Sequence, residues 1–155
     1  DAIHDYLSHL DGQLEQLSTK VYTANPTVNT ILQRVAAQTQ ELGIAFRVSA
    51  LLPESLSIDE GDLCGFLFNL LDNALEAAAK VPHGEIICSL QIRQQYLAIR
   101  CENTYDGTVH TDSAGNLLTT KDDPTEHGFG LMKMRSIAEK YGSVLDVSYD
   151  KTASP

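Results

Sequence analysis

The sequence predicts an α/β (α+β) fold of two layers, with helices on one face of a mixed sheet. Three observations carry that expectation. Helical and strand periodicities follow one another in the order helix, helix, strand, helix, strand, strand, irregular segment, helix, strand. Two of the strands, residues 85–93 and 96–103, are separated only by Gln94-Gln95, so they form an antiparallel hairpin and exclude a purely parallel, doubly wound sheet. The chain has 155 residues, 43% hydrophobic and 21% charged, enough for one domain with its own core.

Residues 1 to about 20 read as a helix whose apolar stripe is Ile3, Leu7, Leu10, Leu14 and Leu17. That near-heptad spacing suits packing against a partner helix. Asn25-Pro26 is a helix start, an N-cap followed by Pro at the first helical position. The second helix runs through Val28, Ile31, Leu32, Val35 and Ala36 to Leu42, where Gly43 ends it. In residues 44–51, Ile44, Phe46 and Val48 alternate as in a strand.

The chain is organised around the next helix, Asp62 to Lys80. Leu63, Leu67, Leu70, Leu71, Ala74, Leu75 and Ala78 gather on one side of it, and Asn69, Asp72, Asn73 and Glu76 on the other. The polar side is costly. Three Asx residues stand within five mid-helix positions, each losing roughly 0.5 kcal/mol of helix propensity. Helix stability does not explain them; Asn69 and Asn73, one turn apart, present their amides in one direction, as a ligand or metal requires. Pro82-His83-Gly84 then turns the chain into the hairpin. Residues 104–129 are rich in Gly, Asp, Thr and His and have no apolar period, the pattern of a functional lid. Leu131 to Tyr141 reads as a helix with Leu131, Met134, Ile137 and Ala138 inward, and Ser143 to Tyr149 as a last strand.

The formal net charge is −10, from 11 basic and 21 acidic residues. That argues against nucleic acid and against direct contact with an anionic membrane, since either needs a basic patch. A polyphosphate ligand would have to be held by a metal ion and backbone dipoles. Cys64, Cys88 and Cys101 match neither a zinc spacing nor a disulfide framework and read as buried free thiols of a cytoplasmic protein. Neither a signal peptide nor an apolar run of membrane-spanning length is apparent.

NLLDNALEAA at residues 69–78 is followed roughly 50 residues later by HGFGLMKMRSIAEKYG. This pair resembles the ATP-binding domain of sensor histidine kinases in the GHKL superfamily, and within it the branch of peptide quorum-sensing receptors. The resemblance runs from VYTANPTVNTIL at residues 21–32 to about residue 149. It implies a Bergerat-type fold that binds Mg·ATP between the Asn helix and the lid, in a cytoplasmic domain of a membrane-bound, homodimeric receptor that signals to a response regulator. Residues 21–155 would be the ATP-binding kinase domain, and residues 1–20 the second helix of the dimerisation hairpin.

The roles carry over one residue at a time. Asn73 matches the magnesium ligand, and its carbonyl oxygen is the hard donor Mg²⁺ prefers. Asn69 would lie near the phosphates or the metal's water shell, and Glu76 and Ala77 beside the nucleotide. Gly128 and Gly130 match the lid glycines that approach the phosphates at a helix N-terminus, flanked by His127 and Leu131. Lys121 and Lys133 are each either a phosphate contact or a solvated cation. Counting the inward alternation Leu97, Ile99, Cys101 puts Asn103 where most relatives carry the adenine-reading Asp, with Asp106-Gly107 as the competing position.

A second departure bears on the reaction. Relatives that hydrolyse ATP, or phosphorylate serine, carry a Glu base one turn before the metal Asn. Here that position is Asn69, whose amide takes no proton at neutral pH. Hydrolysis is therefore disfavoured, while transfer to a histidine survives, because its nucleophile comes from elsewhere. His4 resembles a phosphoacceptor followed by Asp and Tyr, but the 20 residues between it and Asn25 leave no room for a helical hairpin. No catalytic residue is assigned in this chain. The rival expectation is a signalling module that acts by protein–protein interaction without catalysis.

Overall fold

The computed structural model describes residues 2–3, 20–107, 110–111, 117–118 and 124–148. The expected N-terminal helix, His4 included, lies almost wholly outside the described residues. Helix α1 spans Pro26–Leu42, strand β1 Ala45–Leu51, helix α2 Glu60–Ala79, strands β2 Glu85–Arg93 and β3 Tyr96–Asn103, and helix α3 Pro124–Lys140. The sheet order is β1-β2-β3. β1 pairs with β2 in parallel and β2 with β3 antiparallel, so the mixed sheet expected from the hairpin is present.

Helix α1 forms where its signals stand. The Asn25 side chain accepts from the Val28 N–H at 3.0 Å, Pro26 opens the helix, and Gly43 closes it in the left-handed conformation at φ 70°. Its inner face buries Val28, Ile31, Leu32, Val35 and Ala36. Helix α2 is capped by Asp59, which accepts from the Asp62 N–H at 3.0 Å. It buries Leu63, Leu67, Leu71, Ala74, Leu75 and Ala78 against α1 and the sheet. A fully buried Leu contributes about 1.5–3 kcal/mol, so the leucines outweigh the three Asx residues, which together cost about 1.5 kcal/mol. From the sheet, Ile86, Cys88 and Leu90 of β2 complete this core, with Leu97, Ile99 and Cys101 of β3 against it.

Three expectations are corrected. The last helix opens at Pro124 rather than at Leu131, because Asp123-Pro124 with Glu126 behind it is itself a helix start. The stretch read as a lid without regular structure contains two short strands, β4 (His110–Thr111) and β5 (Leu117–Leu118), paired antiparallel. Residues 143–148 join no sheet ladder among the described residues. Ser143 N–H is held by the Ala138 carbonyl at 2.8 Å, directing the chain off the helix end. Val144 is left 79% exposed, so the alternating pattern finds no neighbour among the described residues to bury it.

Candidate functional site

The seam between α2 and α3 brings together Asn69 and Gly130, two of the residues singled out in the sequence, with Lys133 beside them. The mid-helix Asn69 side chain is half-buried, and its Nδ2 donates to the Gly65 carbonyl at 2.7 Å. That bond uses one of the amide's two N–H donors and fixes its Oδ1 toward α3. There the oxygen lies 3.0 Å from where a Cβ on Gly130 would stand. Gly130 is buried, and the absence of its side chain is what lets α3 approach the Asn helix at this point. One turn on, Asn73 is half-buried and has no hydrogen-bond partner among the described residues, which leaves its carbonyl oxygen available.

Glycine recurs across the same seam. A Cβ on Gly65 would meet Lys133 Cε at 3.1 Å and Nζ at 3.3 Å, so the lysine stem lies over the bare turn that precedes Asn69. Lys133 thereby stands closer to the candidate site than its exposed helix position implies. Ala77 and Leu131 are half-buried. Glu76 lines a groove between the C-terminal halves of α1 and α2, together with Gln38, Glu41 and Asp72.

The glycines do not stand where expected. Gly128 and Gly130 were placed in a loop at a helix N-terminus, but both lie inside α3. In a helix that opens at Pro124, the unpaired N–H groups belong to the first turn, and those of Gly128 and Gly130 enter the helical ladder. Gly130 contributes by close approach, not by a free N–H. The His127 side chain and the whole of Lys121 lie outside the described residues.

At the other end of the seam is a contact that sequence reasoning missed. The Asp62 carboxylate accepts from Lys140 Nζ and from the Tyr141 hydroxyl, each at 2.7 Å, and the same hydroxyl accepts from the Asp59 N–H at 3.1 Å. The hydrogen bonds from Lys140 and Tyr141 hold the Asp62 carboxyl below its usual value. Asp62 in turn raises Lys140 and Tyr141 above theirs. The C-terminus of α3 is thus fastened to the N-terminus of α2, so the two helices run antiparallel and Gly130 falls opposite Asn69.

Asn103 ends β3 in register with the buried Ile86, on the face shared by Leu97, Ile99 and Cys101. Its Nδ2 donates to the Thr104 carbonyl at 3.0 Å, which leaves Oδ1 as an exposed acceptor at the strand end. At the competing position, Gly107 adopts φ 83°, in keeping with a turn.

A two-layer α+β domain with an amide-bearing helix clasped to a glycine-bearing helix is a Bergerat-type nucleotide-binding architecture. Residues 58–153 match the family described as the GHKL domain, and the chain belongs to that ATP-binding family. No curated protein matches the chain with significance.

Proposed function

We propose that this chain is the ATP-binding catalytic domain of a sensor histidine kinase of the quorum-receptor type, which passes the γ-phosphoryl group of ATP to a histidine outside this chain. The observation that carries the reading is the contact of Gly130 with Asn69, which joins the two motifs of the resemblance into one site. In this reading Asn73 holds Mg²⁺ through its carbonyl oxygen. Among the described residues no cluster of three His, Cys, Asp or Glu is placed to hold a metal. The donor set therefore suits an ion held chiefly by phosphate oxygens and water, which is the habit of Mg²⁺. Bound there, the ion would neutralise charge on the phosphates. Asn69 positions and does not deprotonate, since its amide is anchored to the Gly65 carbonyl and its oxygen takes no proton at neutral pH. Asn103 Oδ1 would accept from the adenine amino group. A response regulator and a second copy of the full-length receptor are the partners, and the cytoplasm is the compartment.

Calorimetric titration of Mg·ATP against the wild type and Asn73→Ala tests this. Asn73 lies outside the core, and Ala is the better helix former, so the fold should survive while binding disappears. Unchanged affinity would remove Asn73 from the site. The chain alone should bind ATP without labelling itself or hydrolysing it, because Asn69 stands where a base would and takes no proton, and the acceptor histidine is expected on a separate helical hairpin.

One observation favours the second reading, a non-catalytic signalling module that holds nucleotide weakly or not at all and works through helix pairing. The N–H groups of Gly128 and Gly130 belong to α3's own ladder and are not directed at an anion. If neither ATP nor ADP binds with Mg²⁺ present, that reading replaces the first.

A further inference from the structure

Cys88 and Cys101 face each other across the β2–β3 hairpin, as direct register partners. The Cys88 thiol donates to Cys101 Sγ at 3.0 Å. Two features show which kind of pair this is. The Thr104 N–H donates to the Glu85 carbonyl at 3.0 Å, which makes positions 85 and 104 a hydrogen-bonded pair. Pairs alternate along an antiparallel ladder, so three steps further on, 88 and 101 form a non-hydrogen-bonded pair. Counting back from the two-residue turn at Gln94-Gln95 gives the same parity. In such a pair the Cα atoms stand about 4.5 Å apart, inside the range of about 4.4–6.8 Å that a disulfide spans. The backbone need not move for the sulfurs to bond.

We propose that Cys88 and Cys101 are a dithiol modification site, oxidised by hydroperoxides to an intramolecular cross-strand disulfide. The two thiols differ in a way that sets their roles. Cys88 is 3% exposed, whereas Cys101 is half-buried on the outer strand of the described sheet. The hydrogen bond from Cys88 favours the thiolate at Cys101, and that same bond, with burial second, pushes the Cys88 thiol up, so Cys101 loses its proton first. The Cys101 thiolate attacks the peroxide oxygen and the O–O bond breaks. The departing alkoxide or hydroxide takes up a proton, and Cys101 becomes a sulfenic acid. Cys88 sulfur then attacks Cys101 sulfur and displaces hydroxide, which leaves as water with the Cys88 proton. Two thiols and one hydroperoxide give one disulfide, one alcohol or water, and one water; two electrons pass from sulfur to oxygen. Cys64, on α2, takes no part.

The test is to treat the folded protein with hydrogen peroxide, quench, denature and count free thiols. The wild type should fall from three thiols to one, Cys64→Ser from two to none, and Cys101→Ser should keep both. Tryptic digestion without reductant should yield residues 81–93 linked to residues 101–121, two hydrogens lighter and separable by dithiothreitol. That peptide is read on the wild type, so it decides the matter even if Cys101→Ser does not fold. Retention of all three thiols, a linkage through Cys64, an intermolecular dimer, or sulfinic acid at Cys101 without the linked peptide would each overturn the proposal.

Discussion

Gly65 and Gly130 meet the same seam from opposite helices, and the same residue type does different work in each. A side chain at Gly65 would push against the far end of Lys133, which has several bonds to rotate and open solvent beside it. A side chain at Gly130 would push against Asn69 Oδ1, on an amide already tied to the Gly65 carbonyl. One glycine leaves room for a flexible neighbour; the other is needed because its neighbour cannot give way. A bare turn in a helix costs about 1 kcal/mol relative to Ala, so the two positions bear a similar penalty for unequal reasons. The tolerance of each to a methyl group distinguishes them.

The largest expected effect is at Gly130. Gly130→Val should displace Asn69 and lower Mg·ATP affinity by about tenfold or more, the equivalent of at least about 1.4 kcal/mol. Its unfolding midpoint should fall as well, because overpacking a buried site costs about 1–3 kcal/mol, more than the helix gains when Val replaces Gly. Calorimetry paired with thermal unfolding reads both, and retained affinity would mean that the seam has slack.

Next comes the clamp at the far end. The Asp62 carboxyl is held low, so its contribution is complete above the ordinary carboxylate pKa and fades as pH falls through the lowered one. Lys140 and Tyr141 are held high, so theirs is complete below their ordinary values and fades as pH rises through the raised ones. Asp62→Asn should therefore be less stable than the wild type by a constant amount from about pH 5 to 9, with the gap closing on either side. A gap that persisted in acid would assign the loss to packing instead of charge.

Gly65→Ala should do the reverse of Gly130→Val. Lys133 can swing aside, and the helix gains about 0.5–1 kcal/mol of stability with nucleotide affinity unchanged. Smallest of all is Lys140→Met. Its side chain is 61% exposed, so the loss should be visible in dilute buffer and screened away by salt. Denaturant curves at low and high ionic strength would separate the two.

What the sequence disclosed depends on the range of the interaction. Helix α1, β1, α2 and the hairpin follow from local signals, the Asn25 cap, the Gly43 stop and the two periodicities. The start of α3 was equally local and passed unread, since Asp123-Pro124 repeats the grammar of Asn25-Pro26. The cysteine pair was also within reach: residues 88 and 101 are equidistant from Gln94-Gln95, so a hairpin there brings them together. The clamp was not legible. Asp62 and Tyr141 are 79 positions apart, and nothing in either neighbourhood names the other. Asn69 against Gly130 was suggested only by resemblance, because periodicity says which face a residue takes and not which helix covers it. Residues 143–148 show the converse failure: alternation signals a strand, but a strand exists only where another lies beside it.

The way the chain enters the domain has a mechanical consequence. Gln33 Nε2 grips the Lys20 carbonyl at 3.0 Å, and Asn29 Oδ1 takes the Tyr22 N–H at 2.7 Å. Asn25, itself buried, caps α1 and reaches across to the Glu54 carbonyl at 3.2 Å. Residues 20–25 are thus bolted to the first helix at successive points along its length. Such a join is a stiff coupling and not a swivel. Torque applied at Lys20 is delivered to α1 as a lever arm, and through the shared core to the helix that bears Asn69 and Asn73.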